Sequence, residues 1–554
     1  MTRGKRGPGT ADRYDVAILG SGMAGSMLAA VLARNGVSVL LVDQGTHPRF
    51  AVGESTIPYT SAMTRIIADR YRVPEIAALS SFKGIQRHVS RNSGIKQNFG
   101  FVYHREGRIQ NPEEINQLKI PTALRTESHL YRQDTDAYLF AVAVKHGAHP
   151  RSGTRVEEID VDPDAGVELR VAGGERFRAS YVVDAGGFRS PLADRFDLRE
   201  QPTRARHHSR SLFTHMIGVR PFDQAPAAAL HRQPSPWHNG TLHHVFDGGW
   251  LWVIPFDNHP GSTNPLCSVG LTLDPRRHPK REPDAQREFD SFLERFPEIA
   301  WQFETAVATR PWVSTDRLQY SAKSLVGDRF CLTSHAAGFI DALYSRGLTN
   351  TLDVVNALAW RLIEASRDGD WSTSRFEYVE TLQQGLFDVH DDLVYSSFVG
   401  FRDYELWNAV YRTWKIGTVL GTLVLEDAYF KYLRTRDDGL FRALEQSEHP
   451  GSPFPVSDQF NRFGPMTRDL CIAVENGSLS ASAAAAKVFH HIQDADYIPP
   501  VFNLADPANR FFHATPPKML GAARWGKKTA PPHVGAVIRG AIGGVVRSRL
   551  DVRH

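Results

Sequence analysis

The 554-residue chain has only three cysteines, Cys267, Cys331 and Cys471, far apart and without metal-ligand spacing. Their scarcity excludes a disulfide framework and a cysteine-built metal centre, and it fits a reducing compartment; a cytoplasmic protein is expected. No apolar run reaches the roughly 20 residues that a membrane span needs. The longest of interest, Ala536–Val546, is broken by glycines and carries Arg539. No apolar segment precedes Tyr14, so no signal peptide is expected. Neither sign of charge is in excess: 65 Lys and Arg stand against 61 Asp and Glu, a formal net charge of +4. That balance argues for no polyanionic partner, nucleic acid included. The basic residues that do gather, in Thr2–Arg6 and Arg524–Arg549, read as solvated tails. Internal repeats and low-complexity blocks are also missing.

What is present is a dinucleotide-binding pattern. Residues 14–20 (YDVAILG) form a short β-rich run, and residues 20–25 (GSGMAG) follow directly. Ser26–Asn35 is helical in composition, Gly36 stops it, and Val37–Val42 reads as a second strand ending at Asp43. A G-x-G-x-x-G turn alone is weak; here the strand, helix and acid that give it meaning are all in place. Gly20 permits the tight turn, Gly22 lets the backbone approach a pyrophosphate, and Gly25 lets the helix sit close to the sheet. Ser21 and Ala24 belong to the same turn, whose helix N-terminus offers free N–H groups to phosphate. Asp43 is placed to accept hydrogen bonds from the adenosine ribose.

NAD enzymes share this pattern, and later segments decide between them. Residues 181–187 (YVVDAGG) are a second strand ending in Asp184 and Gly186, and residues 328–332 lead into 336–341 (AAGFID) and then 345–348 (SRGL). Three such elements in this order resemble the flavin oxidoreductases of the aromatic-hydroxylase fold. The resemblance implies FAD, an α/β doubly wound FAD-binding fold with a β-sheet substrate domain and a mostly helical C-terminal region, Arg132 near the flavin or pyrophosphate, Val156 near the adenine, and Asp184, Gly186 and Gly338 in the cofactor site.

Two further segments, 50–55 (FAVGES) and 250–255 (WLWVIP), resemble those of the flavin-dependent halogenases. The strings around His47–Phe50, Leu130–Asp134, Ser211–Met216 and Ser334–Thr351 place the resemblance nearest the branch acting on free phenolic and polyketide substrates, the tetracycline and phloroglucinol halogenases among them. Two-residue strand periodicity puts Trp250, Trp252 and Ile254 on one face, and the resemblance makes the two tryptophans the wall of a tunnel. It implies Gly53, Glu54 and Ser55 in the flavin environment, Gly347 and Leu348 N–H groups at a halide, and Lys96, in 93–101 (SGIKQNFGF), as the catalytic lysine; Lys83 is the runner-up. Apolar neighbours of Lys96 favour burial and a lowered ammonium pKa. FADH2, O2 and chloride, with bromide as an alternative, are implied as reactants, with hypochlorous acid passing to Lys96 and then to a phenolic ring. A separate NAD(P)H:flavin reductase is implied because no second nucleotide pattern is visible. A homodimer is left open, and a general base is not named.

The chain departs from the family at His335, where flavin hydroxylases have Asp, at Ala342, which replaces a Pro, and at Tyr344, where tryptophan halogenases carry Glu. The last departure fits a phenolic substrate, already activated. A flavin aromatic hydroxylase and a non-catalytic flavin-binding protein are the alternatives. The expected organisation is a basic lead over 1–12, an FAD-binding unit over 13–210 and 321–370, a substrate-facing β region over 211–320, and a mainly helical region over 371–554 closing the pocket, with the last fifty residues loop-like apart from possible short helices. The aromatics of 390–435 (Phe398, Phe401, Tyr404, Trp407, Tyr411, Trp414) suit either a pocket wall or a core.

Overall fold

The computed structural model describes residues 12–121 and 126–551. The basic lead thus falls outside the described residues but for Asp12, which already belongs to the first strand, Asp12–Leu19. Among the described residues, no helix is long and apolar enough to cross a membrane.

Two sheets organise the chain. The first has eight strands, and its central ones run Phe330–Leu332, Arg176–Asp184, Asp12–Leu19, Val39–Asp43 and His149–Ser152, all parallel. The apolar stretches Val16–Leu19, Val39–Val42 and Tyr181–Val183 in the middle of this sheet reflect burial on both faces. Leu19 lies opposite both Val42 and Asp184, and Asp184 opposite Leu332. The carboxyl ends of four strands therefore converge on one rim, where ligands of open α/β sheets bind.

The second sheet has nine strands and takes its members from across the chain. Asn98–Tyr103 and Ile115–Lys119, which the sequence-based division left with the FAD-binding unit, pair into it, and Asn98–Tyr103 runs parallel to Gly240–Phe246. Phe511–His513 adds an edge strand beside Ile115–Lys119. Gly249–Pro255 is central, and its alternation is clean: Trp250, Trp252 and Ile254 join one core with the C-terminal helices, while Leu251 and Val253 join the core beneath. That lower core is capped by two helices, Ala285–Arg295 and Pro297–Phe303, in the region expected to be mainly β. Asp284 caps the first by accepting from the Arg287 N–H, and Phe289, Phe292 and Phe296 cover the sheet.

The C-terminal region is a helical layer built on Arg346–Asp368, Thr373–Gly400 and Tyr404–Thr435. The described part of the last fifty residues is more helical than the short helices that the sequence suggested. It forms the helices Pro516–Lys528 and Pro532–Asp551, each starting at a proline that needs no intrahelical N–H partner. The glycines that suggested a loop serve a close helix crossing instead. A Cβ at Gly540 would stand 1.8 Å from an Asp427 oxygen, and one at Gly544 2.0 Å from the Phe430 ring. The basic residues here are likewise not on a solvated tail: Arg524, Lys527 and Arg539 lie on the exposed faces of helices whose other faces bury Ala522, Val534 and Ile538.

Candidate active site

The rim of the first sheet opens into a cleft of about 1140 Å³ lined by Gly20, Gly22, Ala24, Asp43, Arg49, Arg132, Val156, Gly186, His335 and Leu348. Gly20 turns the chain at φ +101° against Ala185, and Gly25 packs so close that a Cβ would sit 1.9 Å from the Gly20 carbonyl oxygen. Gly22 is the N-cap of Met23–Arg34 without a side-chain cap, and a Cβ there would meet nothing within 4 Å. The helix N-terminus is thus open toward the cleft, as a pyrophosphate requires. These residues fit a flavin dinucleotide.

Some assignments take on a different character in the structure. The Asp43 carboxylate accepts from the Ser21 N–H at 2.6 Å, the Ser21 hydroxyl at 2.9 Å, the Gly45 N–H at 2.7 Å and both ends of the Arg49 guanidinium. Burial alone would raise its pKa, but Arg49 and the two N–H groups outweigh burial and hold it at about 2. With its lone pairs filled, Asp43 receives a ribose hydroxyl only by displacing Arg49, a cleft residue that sequence reasoning missed although it lies six positions on. Asp184 shapes a turn: it accepts from the Gly186 N–H (2.8 Å), the Ser190 hydroxyl (2.7 Å) and the Leu192 N–H (3.1 Å). Arg132 is clamped by Asp136 one turn on and donates to the Val52 and Gly53 carbonyls at 2.6 and 3.1 Å, so it fixes the segment entering the G-E-S motif. Gly338 and Gly347 line a separate cavity of about 60 Å³ behind the cleft.

The G-E-S motif follows Ala51 and Val52, the last residues of this segment that line the cleft. Glu54 meets His215 Nε2 at 2.7 Å and so ties this loop to the strand Arg210–Ile217 of the second sheet. Ser55 accepts from Lys96 Nζ at 2.6 Å, and the Thr56 carbonyl accepts from the same amine at 2.7 Å. Lys96 ends the strand Gly94–Lys96, is fully buried, and stands 4.0 Å from the centroid of the Phe99 ring. Burial pushes its pKa well below the usual lysine value, and Glu127 opposes this only in part. Ser55 continues to Thr241 at 2.8 Å, Thr241 to His129 Nε2 at 3.0 Å, and His129 Nδ1 donates to the Pro255 carbonyl at 2.8 Å. The network thereby joins the lysine, the G-E-S motif and the end of the W-x-W-x-I-P strand. No local pattern announced Thr241, His129 or Glu127.

Trp250 and Trp252 are buried with ring centroids 5.4 Å apart. His243 stands 5.5 Å from Trp250 and stacks on Phe99 at 4.6 Å. Aromatic rings thus fill the space between Trp250 and the lysine. Asp341, at the start of the loop entering Arg346–Asp368, accepts from the Leu343 N–H at 2.9 Å and the Ser209 hydroxyl at 3.3 Å. That helix begins after Ser345, held at φ 53° without a side-chain cap, so the Gly347 and Leu348 N–H groups belong to its unpaired first turn. His335 lines both the cleft and the small cavity; burial, aided by Arg132, lowers its pKa to about 4 and keeps it neutral. Tyr344 stacks on Trp414 at 5.1 Å and shares a 2.6 Å hydrogen bond with Ser397.

Burial lifts the Asp341 pKa to about 7, against roughly 3.9 for an unperturbed Asp. A carboxyl raised on folding contributes stability that is full below pH ~4 and is lost as pH rises through about 7. Asp341→Asn cannot titrate, so its melting temperature relative to wild type is expected to climb between pH 4 and 8. Parallel melting curves across that range would contradict the assignment.

Residues 13–265 match the family described as FAD binding domain. The chain is 47% identical over 515 residues to the tetracycline 7-halogenase of Kitasatospora aureofaciens, covering 92% of each chain. It is 48% identical over 495 residues to the monodechloroaminopyrrolnitrin halogenase PrnC of Pseudomonas fluorescens, covering 89% of this chain and 86% of that one. Among solved structures, halogenase PltM in complex with phloroglucinol and FAD superposes with a TM-score of 0.86 at 34% identity, over 90% of this chain and 99% of that one.

Proposed function

The chain belongs to the flavin-dependent halogenases, and from that premise we propose that it chlorinates a free phenolic aromatic compound of the polyketide kind, in natural-product biosynthesis, through hypochlorous acid delivered to Lys96. The observation that carries this reading is the buried Lys96 amine, held by Ser55 and Thr56 behind the Trp250–His243–Phe99 stack. The names of two relatives, tetracycline 7-halogenase and a PltM complex with phloroglucinol, support a phenolic ring.

Bound FADH2 with O2 supplies the oxidising equivalent that turns halide into hypohalous acid. The remaining work falls to the chain. The open N-terminus of Met23–Arg34 would hold the pyrophosphate, and Asp43 and Arg49 would meet the ribose. The Gly347 and Leu348 N–H groups orient the halide, which a helix N-terminus favours. The aromatic stack excludes water, so the hypohalous acid is not diluted before it reaches the lysine. Lys96 carries a lowered pKa and presents a neutral amine, able to hydrogen-bond hypochlorous acid or to carry its chlorine as a chloramine. Tyr344 offers no carboxylate to assist a weakly activated ring, and a phenol needs none.

The reading requires a separate flavin reductase. Protein loaded with FAD is expected to keep its oxidised flavin spectrum on anaerobic mixing with NADH or NADPH and to bleach when a flavin reductase is added. Bleaching by NADPH alone would favour an aromatic hydroxylase.

A further inference from the structure

A second lysine is as deeply buried as Lys96. Lys415 lies on the helix Tyr404–Thr435, has no exposed surface, and its Nζ has no hydrogen-bond partner among the described residues. The same holds for the Tyr411 hydroxyl, the Trp414 indole N–H and the Thr418 hydroxyl. These four positions are i, i+3, i+4 and i+7, one face of the helix, spanning about 10 Å at 1.5 Å per residue. Buried polar groups are nearly always paired, and each unpaired one costs roughly a lost hydrogen bond. A row of four therefore calls for a partner that the folded chain does not supply.

Three of the four border open space, while Tyr411 packs on the Phe101 ring at 5.0 Å. Lys415 and Thr418 line a cavity of about 90 Å³ whose other walls are mainly carbon, among them Pro58, Leu118 and Phe502. Trp414 and Thr418 line a second of about 340 Å³, which reaches Arg346. Pro58 follows the Thr56–Ile57 segment that holds Lys96, and Leu118 pairs with Phe99 across the sheet. Trp414 touches Phe99, centroid to centroid 4.7 Å, and Phe99 covers the Lys96 amine.

We propose that Trp414, Lys415 and Thr418 form the recognition edge of the substrate chamber, taking an aromatic compound with several oxygens along one side, and that Lys415 accepts the proton of its phenolic hydroxyl. This rests on the halogenase reading above and names the group that prepares the ring. The phenol O–H bond breaks, its electron pair stays on oxygen, and the proton forms an N–H bond with the Nζ lone pair. No electron is lost and the pair remains neutral overall. Burial, reinforced by Arg412, lowers the pKa of the free amine well below the usual lysine value. An ammonium alone is costly there, whereas an ammonium facing a phenolate brings its own counter-charge. The phenolate is the form of the ring most reactive toward an electrophilic chlorine.

The test uses FAD-loaded protein and a nitrophenol whose phenolate absorbs in the visible, titrated at a pH below the dye's own pKa. Wild type is expected to bind it with the phenolate band. Lys415→Met removes an unpaired buried amine, so it should melt at or above the wild-type temperature, bind the dye roughly tenfold to a hundredfold more weakly, and show no phenolate band. Lys415→Gln, which restores polarity without basicity, should also lack the band. An unchanged band and affinity in both variants would overturn the proposal, as would a wild-type protein that leaves the dye protonated or unbound. Because the dye reports ionisation without turnover, a wild type that ionises it yet forms no halogenated product would sink the halogenase reading alone.

Discussion

Lys96→Met is expected to bind FAD as wild type does and to halogenate roughly 10²–10⁴-fold more slowly, the range seen when one positioned proton donor or acceptor is removed. The amine lines none of the dinucleotide cleft's wall. Its two hydrogen bonds go to Ser55 and the Thr56 carbonyl, neither of which supports the phosphate turn. Methionine has a similar length and no polar head, so the Phe99 contact survives while the reactive nitrogen is lost. Flavin titration by fluorescence and product formation with excess reductase separate the two effects. A variant with lowered FAD affinity would mean that Lys96 braces the fold; one with full activity would remove it from the chemistry.

Gly25→Val is expected to abolish FAD binding, and here the cause is backbone. A Cβ at Gly25 would sit 1.9 Å from the Gly20 carbonyl oxygen, an atom that no side-chain rotation can move. The helix Met23–Arg34 must then lift from the sheet, and the N–H groups that meet the pyrophosphate lift with it. Gly22→Ala makes the contrast. Its Cβ meets nothing within 4 Å, so the apo fold should keep its melting temperature while the new methyl narrows the approach to the phosphates. Flavin content after purification, together with melting curves, reads both variants. Normal flavin content in Gly25→Val would show that the turn is not the cofactor's seat.

The strand, turn and helix at residues 14–35 were legible because one local rule, strand then glycines then helix, has few other uses. The burial of Lys96 was legible in the apolar residues around it. What stayed hidden depends on pairing between distant segments. Glu54 and Ser55 were assigned to the flavin, yet their partners are His215 and Lys96, on strands far along the chain. Asn98–Lys119 joined the second sheet through a parallel pairing with Gly240–Phe246 that carries no local signature. The C-terminal glycines were read as breakers because glycine weakens an isolated helix; at Gly544 the Phe430 side chain, down to its Cβ, occupies the place of any added Cβ. Asp43 was found in the expected place, but its saturation by Arg49 required the fold of the segment after it.

The central claim is that this chain uses flavin chemistry to place a halogen on a phenolic ring. The most direct measurement is mass spectrometry of products from the protein with FAD, NADH, flavin reductase, chloride and a panel of phenolic polyketides. The account predicts a substrate mass raised by one chlorine for hydrogen, with the chlorine isotope doublet, only when chloride, reductase and substrate are all present, and lost in Lys96→Met. A product raised by one oxygen, with no doublet at any halide concentration, would contradict it.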